Sequence, residues 1–362
     1  MNQKQLPVIF DRQDRAAIEQ NLSTSTTSAK IWPELLAAVG LLMVGLTFHL
    51  SMNTAGQAAH QIHRELPRLS PSPPPASNPL ADPTTTSTVS TTTTTTTTTI
   101  PYPTEPGGGY TLIPEKRIVA FYGTPGSGNL GVLGQATPEA MWPKLIAQVA
   151  PYQQSNTVTL PAYELIAFVA QGSPQPDGTY SARLSDPAIQ QYLNVVKEHQ
   201  GLLILDIQPG RGSFLADAKT LAPFLAQPDV ALALDPEWQV AKTQTPGQVT
   251  GTTTAADINE VAAWLEQLVV ANHLPQKLLL IHQFESSMIQ DKPAVAAQPN
   301  LAIVFNMDGF GSWNAKVKSY HFLSADPRFP LGFKLFYRQD NPLEDPSHVL
   351  ALQPQPVVIE YE

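Results

Sequence analysis

Seven short runs of apolar residues recur in the C-terminal part of the chain, and stretches with helical spacing separate them. The runs are RIVAFYG (117–123), TLPAYELIAFVA (159–170), LLILDIQ (202–208), VALALD (230–235), KLLLIHQF (277–284), LAIVFNMD (301–308) and GFKLFY (332–337). Apolar runs without alternation are typical of strands buried on both faces, as in parallel sheets covered by helices. The pattern therefore predicts seven parallel strands.

Helix signals lie between these runs. Thr137 before Pro138, and Asp186 before Pro187, are typical of an N-cap followed by a first helical residue. Strands alternating with helices over about 250 residues predict an α/β fold of the (β/α)8, TIM-like barrel type. The barrel is either complete or lacks its eighth strand, for which VVIEY (357–361) and YTLI (110–113) are candidates. An open doubly wound sheet is the alternative.

The N-terminal part has a different composition. Residues 31–52 have an uncharged centre and reach the roughly 20 residues that cross a bilayer. We predict a cytoplasmic segment at 1–30, an uncleaved transmembrane signal anchor at 31–52 and a disordered Pro/Ser/Thr-rich linker at 53–109. Four Lys/Arg before the anchor favour an internal N-terminus, so the barrel at 110–362 is expected outside the cell membrane.

Charge and cysteine content exclude several classes of protein. Only 14% of residues are charged, and the net charge is −9, which argues against a nucleic-acid partner. There is no cysteine, so disulfides, thiolate zinc sites and cysteine nucleophiles are excluded. The barrel region has no H-x-H or H-E-x-x-H motif. We predict no metal and no cofactor.

The glycine loop Gly126–Gly131 (GSGNLG) matches the G-x-G-x-x-G pattern of dinucleotide-binding proteins. In that pattern the helix begins inside the motif and its N-terminus meets the pyrophosphate. Here the first helix signal comes only at Thr137. The loop also lacks the lysine of a phosphate-binding loop, because Asn129 occupies that position. We expect no nucleotide, and interpret the glycines as a place where backbone passes close to a ligand or a neighbouring loop.

Polar side chains follow almost every predicted strand. Barrel enzymes build their sites from the C-terminal ends of several strands, so these side chains are expected to converge. The candidates for substrate binding are Tyr122, Glu164, Asp206, Gln208, Arg211, Trp238, His282, Gln283 and Tyr337.

Asp235 and Glu237 are two residues apart at the end of the fourth strand, and Asp308 follows the sixth. Neighbouring carboxylates push their pKa values apart, which yields one acid and one base or charge stabiliser, as glycosidic cleavage requires. We predict Glu237 as general acid with Asp235 or Asp308 as its partner, and Trp238 as a surface that stacks on a sugar ring.

Structural interpretations compete with these roles. Asp-Pro often begins a turn that the aspartate caps. His282, alone beside an apolar strand, is typical of a hydrogen-bonded core histidine. Arg211 either binds an anion or stabilises its loop by pairing with Asp206.

Several phrases together resemble a family of uncharacterised secreted or membrane-anchored proteins, found mainly in actinobacteria. They are FYGTPGSGNLGVLG, LILDIQPGRGSF, ALALDPEW, LPQKLLLIHQFESSMI and NMDGFGSW. The resemblance covers most of 117–362. It implies a glycoside-hydrolase-like barrel without an established activity.

A weaker resemblance concerns the acids alone. Asp235, Glu237 and Asp308 are similar in position to the D-x-E and the later aspartate of Chalaropsis-type muramidases, but Tyr122 stands where those have an aspartate on strand one. The longer D-x-x-D-x-D-x-E of chitinase-type enzymes is matched only at its last two acids, since Val230 and Ala233 occupy the earlier positions.

Two hypotheses of function follow. The first is a membrane-tethered hydrolase of cell-wall or extracellular polysaccharide. The second is a non-catalytic barrel that binds glycan or another envelope component. A structural domain that acts as a spacer in the envelope is a third hypothesis. The partners expected under the first two hypotheses are the membrane and a carbohydrate.

Overall fold

A computed structural model of the protein describes residues 102–153 and 157–362. Eight parallel strands in this part form one sheet: β1 (Lys116–Gly123), β2 (Val158–Ala170), β3 (Leu202–Ile207), β4 (Val230–Leu234), β5 (Lys277–Gln283), β6 (Leu301–Met307), β7 (Leu331–Leu335) and β8 (Val358–Tyr361). Each strand pairs with the next, and β1 pairs with both β2 and β8. The sheet therefore closes into a (β/α)8 barrel, which excludes the open-sheet alternative.

The seven predicted strands are confirmed, with ends that differ by one or two residues. The eighth strand is formed by the VVIEY run. The other candidate, at 110–113, is not a strand. Instead, Leu112 and Ile113 pack into the lower interior of the barrel, and their N–H groups both donate to Gln276 Oε1 at 3.0 Å. These residues close the N-terminal end of the barrel.

The folded part extends upstream of the expected boundary at Tyr110. Residues 102–109, which we assigned to the linker, lie at the same N-terminal end. Glu105 is only 2% exposed, and its N–H and carbonyl groups bond with Gly109 and Gly108. The predicted anchor at 31–52 and the rest of the linker lie outside the described residues. Among the residues that the structure describes, no helix is long and apolar enough to cross a membrane.

Helices cover the outside of the barrel: α1 (Pro138–Val149), α2 (Asp186–Glu198), α3 (Phe214–Thr220), α4 (Ala222–Leu225), α5 (Ala255–Ala271), α6 (Trp313–Leu323) and α7 (Pro346–Leu350). Thr137 caps α1 as predicted, since its hydroxyl accepts from the N–H of Ala140. The N-cap of α2 is Ser185 and not Asp186, which is the first helical residue and forms an ion pair with Arg183 at 2.6 Å.

The strands are apolar on both faces because each face meets a different core. Outward side chains pack against the helices. Inward side chains fill the barrel itself, and in its lower part an apolar cluster includes Ile118, Ala120, Leu160, Ala162, Leu278, Leu280 and Val304. This burial on both sides explains why the sequence shows unbroken apolar runs.

The upper interior is polar instead. Above the apolar layers every strand, or the residue that follows it, contributes one buried polar side chain: Tyr122, Glu164, Asp206, Asp235, His282, Asn306, Lys334 and Glu360. Gly332 on β7 makes room for this layer, because a Cβ there would lie 2.4 Å from Asn306 Oδ1.

Gly332→Ala should therefore destabilise the protein by about 1–3 kcal/mol, as overpacking of a core does. The free energy of unfolding by urea measures this. Gly128→Ala is the control, since its new methyl group would meet the flexible Gln135 side chain at 3.1 Å, and we expect a change within about 0.5 kcal/mol. Equal stability of the two variants would contradict the close contact at Asn306.

Candidate functional site

The polar layer and the residues above it bring nine ionisable side chains together at the C-terminal end of the barrel. We call them the charged cluster: Glu164, Asp206, Asp235, Glu237, His282, Asp308, Lys334, Glu360 and Glu362. All but Glu237 and Glu362 are more than nine-tenths buried. Buried charges are costly unless they are paired, so the pairing pattern determines what this cluster can do.

His282, on β5, lies at the centre of the charged cluster. Its Nε2 is 2.9 Å from Glu164 Oε1, and its Nδ1 is 3.2 Å from Asp308 Oδ2 and 3.9 Å from Glu360 Oε2. Burial lowers the pKa of His282, but the carboxylates of Asp308, Glu164 and Glu360 outweigh it and hold that pKa well above its usual value. The imidazolium then donates from both nitrogens. This agrees with a hydrogen-bonded core histidine.

Lys334, on β7, is the second buried cation. Its Nζ lies 3.2 Å from Asp308 Oδ1, 3.1 Å from Glu360 Oε1 and 2.8 Å from Glu362 Oε2. It also lies 3.5 Å from the centre of the Tyr122 ring, a cation–π contact. Burial lowers its pKa, but the three carboxylates raise it well above the usual value, so the ammonium stays charged.

Asp308 is therefore held between two cations. Burial raises the pKa of its carboxyl, but Lys334 and His282 lower it further, and the net shift is downward. Asp308 is ionised at neutral pH.

Asp235 and Glu237 have the opposite environment. One carboxylate oxygen from each of them and one from Asp308 lie within 4.8 Å of one another. Within the described part of the chain, no ion pair reaches Asp235 or Glu237, and Asp235 Oδ1 has no hydrogen-bond partner. Burial and the nearby Asp308 charge raise the pKa of Glu237 to about 8, and burial raises that of Asp235 well above its usual value.

Strand alternation alone does not bring Glu237 to this position. The strand β4 ends at Leu234, and Pro236–Trp238 forms a single 3-10 turn that begins at Asp235. The Trp238 N–H donates to the Asp235 carbonyl at 3.2 Å, and the Gly251 N–H donates to the Glu237 carbonyl at 2.6 Å. The turn therefore directs the half-buried Glu237 towards Asp308. The turn expected at Asp-Pro is therefore present, but the Asp235 side chain does not cap it, so the structural interpretation holds only in part.

A second group of hydrogen bonds lies on the β1–β3 side. The Tyr122 hydroxyl donates to Asp206 Oδ2 at 3.2 Å and accepts from Gln208 Nε2 at 3.0 Å. Burial raises the pKa of Asp206 to about 7, despite the opposing effect of His282. Its other oxygen, Oδ1, has no hydrogen-bond partner in the described ranges. Tyr122, Gln208 and Asp206 thus hydrogen-bond to one another at the upper end of the barrel, and their role in substrate binding stays a prediction.

Two of the predicted binding residues lie elsewhere. Gln283 alternates with the inward His282 and so points out of the barrel, where it accepts from Lys292 at 2.7 Å. Arg211 does not bind Asp206. Its guanidinium lies 3.8 Å from the centre of the Tyr180 ring, and its Nε donates to the Gln244 carbonyl at 2.7 Å.

The aromatic candidates lie at or near the rim. Trp238 is half-buried in the turn beside Glu237. Tyr337 is 37% exposed, stacks on Tyr361 at 5.4 Å and donates to Gln148. Phe310, which the sequence analysis did not select, is 54% exposed two residues beyond Asp308. Its ring packs edge-on against Phe336 at 5.7 Å.

Four further members of the site were not among the candidates from the sequence: Lys334, Asn306, Glu360 and Glu362. Asn306 donates to Glu360 Oε2 at 2.5 Å. Glu360 and Glu362 both form ion pairs with Lys334. The alternation of acids in IEYE at the C-terminus was the available signal, because residues two apart on a strand share a face. This alternation could be assigned to the site only once the run was known to be a barrel strand.

Two groups of three residues have the ligand types and spacing that a metal ion needs. They are Glu164, His282 and Glu360, and Asp235, Glu237 and Asp308. In the first group both histidine nitrogens already meet carboxylates, which leaves no lone pair for a metal while the ring is protonated.

Comparisons with known proteins identify no family for this chain. No protein-family model matches the sequence, and no curated protein does either. Solved structures that resemble it include Plasmodium falciparum HPPK-DHPS wild type with pteroate, at 9% identity and a TM-score of 0.30. The same protein with STZ-DHP gives 9% identity and a TM-score of 0.32. Both alignments cover 68% of this chain and 45% of that chain. Likeness at this level carries no functional argument.

Lys334→Met should destabilise the protein by about 3–5 kcal/mol, because it leaves buried carboxylates without their counter-ion. Lys318→Met, on the exposed face of α6, is the control and should change little. Urea unfolding at pH 5 and pH 8 measures the effect. The loss should be larger at pH 8, since protonation of the carboxyls at lower pH relieves their repulsion. A loss independent of pH would contradict the charge-pairing role.

Proposed function

We propose that the protein is a membrane-tethered, extracytoplasmic glycoside hydrolase that acts on a cell-wall or extracellular polysaccharide. The observation that carries the proposal is the pair Glu237 and Asp308. The two carboxyls lie close together at the C-terminal end of the barrel, and their pKa values are shifted in opposite directions. Such divergence is how one site supplies both an acid and a charged base or nucleophile at neutral pH.

In the proposed reaction, Glu237 donates its proton to the glycosidic oxygen as the bond to the anomeric carbon breaks. Asp308 stabilises the positive charge that develops on the sugar ring, or attacks the anomeric carbon to form a glycosyl ester. Water then supplies the hydroxyl group to the anomeric carbon and returns a proton to Glu237. A separation of no more than 4.8 Å between the nearest oxygens favours the short spacing of retaining enzymes.

The surroundings of the pair are suited to a carbohydrate. Exposed aromatic rings at the rim, Phe310 and Tyr337, present apolar faces to a sugar ring, and Trp238 follows Glu237 directly. Asp235, protonated and without a partner on Oδ1 in the described residues, can donate to a sugar hydroxyl.

The membrane tether is part of the proposal and derives from the sequence of residues 31–52. The described chain begins at the N-terminal end of the barrel, where Tyr102 packs on His273 with ring centres 5.1 Å apart. The charged cluster lies at the opposite end. The described chain therefore enters the barrel at the end opposite the charged cluster.

A non-catalytic glycan-binding barrel is the second candidate. It is favoured by the ion pairs on both oxygens of Asp308, with His282 and Lys334, which weaken that carboxylate as a nucleophile. The Glu237→Gln experiment in the next paragraph separates the two candidates.

Glu237→Gln should lower turnover at least about 100-fold and leave polysaccharide binding intact, because the amide cannot donate the acid's proton. Release of reducing ends from peptidoglycan and from soluble β-glycans, together with co-sedimentation, measures both properties. Glu285→Gln, an exposed acid after β5, is the control. Equal binding by wild type and variant with no product from either would contradict hydrolysis and favour the binding barrel.

The pH profile gives a second test. The acid form of Glu237 is required, so kcat/KM should fall as the pH rises through about 8. Asp308 must be ionised, and its depressed pKa should preserve activity in mildly acidic buffer. Steady-state rates from pH 4 to pH 10 measure this. Activity that increases from pH 7 to pH 9 would contradict the assignment.

A further inference from the structure

A cavity of about 220 Å³ lies at the rim of the barrel beside the charged cluster. The glycine loop forms one wall with Gly128, Asn129 and Gly131. Residues 337–339 and Glu362 form the other, and Gln135 completes the lining. Pockets for drug-sized ligands measure about 300–1,000 Å³, so this one has room for about one sugar ring.

The glycines explain why the loop can form this wall. Gly131 has φ of 104°, and a Cβ there would lie 2.3 Å from the Tyr122 carbonyl oxygen. A Cβ on Gly123 would similarly lie 2.8 Å from the Leu130 carbonyl oxygen. The loop therefore folds back tightly onto the end of β1, which leaves its backbone and the Asn129 side chain facing the segment after β7. The close backbone approach is thus to the end of β1, and the approach to a ligand that the sequence analysis offered stays a prediction.

The lining has a specific chemical character. Gln135 and Gln339 have amide groups that both donate and accept, as hydroxyl-rich ligands require. Two lining side chains are charged, Glu362 and Arg338. Glu362 pairs with Lys334 at 2.8 Å, and the same ammonium also meets Asp308 and Glu360, which connects the cavity with the charged cluster.

Arg338 supplies the positive charge of the lining. Its Nη1 donates to Asn129 Oδ1 at 2.7 Å, which fixes the guanidinium at the cavity. The other N–H groups of this side chain have no partner among the described residues. A guanidinium presents paired N–H groups that match a carboxylate, so an anionic group in the cavity would be recognised here.

We propose that this cavity binds a single sugar residue that carries a carboxylate, of the hexuronic acid class, and that Arg338 recognises the carboxylate. The role of this cavity as a subsite for cleavage rests on the proposed function. It also identifies the substrate more closely, as a polysaccharide that contains acidic sugars.

Two ligands that differ only at C6 test the proposal: methyl β-glucuronide, with a carboxylate, and methyl β-glucoside, with a hydroxymethyl group. Their dissociation constants are measured on the full-length protein by saturation-transfer NMR titration. We expect the glucuronide to bind at least about fivefold more tightly, a modest preference because Arg338 is exposed to water.

Variants then assign the preference to one side chain. Arg338→Gln should bind the two glycosides equally, and Arg338→Lys should keep part of the preference, since it retains the charge but loses the planar pair of donors. Arg328→Gln is the matched control. It removes the same charge from an exposed arginine that pairs with Asp326 before β7, at the other end of the barrel. Its preference should equal that of wild type.

The outcomes separate this proposal from the proposed function. Equal binding of the two glycosides by wild type, or saturable binding of neither, would overturn the subsite even if Glu237-dependent hydrolysis is found. A preference for the glucuronide that depends on Arg338, without cleavage of any polysaccharide, would support the subsite and overturn the hydrolase. A preference that survives in Arg338→Gln would overturn the role of Arg338.

Discussion

The ion pairs of His282 and Lys334 with the carboxylates around them are the interaction on which the upper half of the barrel depends. Seven carboxyl groups meet there, and these two cations form ion pairs with four of them, Glu164, Asp308, Glu360 and Glu362. A buried charge is tolerated only when it is paired or neutralised by protonation. The cluster uses both solutions: Asp308 is paired, while burial favours the protonated forms of Asp235 and Glu237.

This division is what gives the site its chemical asymmetry. Asp308 and Glu237 are close neighbours and have the same functional group, yet one faces two cations and the other faces a carboxylate. Their different protonation states therefore come from position and not from residue type. The same arrangement makes the barrel sensitive to small changes, because losing one cation would leave several acids unpaired at once.

The two ends of the barrel differ in the polarity of their interior side chains. At the N-terminal end, Leu112 and Ile113 complete an apolar interior and close it. At the C-terminal end, polar side chains replace apolar ones, and the glycine loop and the segment after β7 add a rim cavity. The apolar lower layers supply the burial that stabilises the fold, so the upper layer can hold charges that reduce stability.

The sequence by itself determined the strands, the α/β class and the acids at the strand ends, since these depend on local periodicity and composition. The unbroken apolar runs required burial on both faces, and Asp235, Glu237 and Asp308 followed directly. Only the tertiary structure decided that VVIEY closes the sheet, that Glu360 and Glu362 hold Lys334, and that Gln283 and Arg211 turn away from the site. Register, closure and side-chain direction depend on contacts between distant segments. For the same reason, the sequence could not assign the pKa values that distinguish Glu237 from Asp308, because each is set by neighbours that only folding brings near.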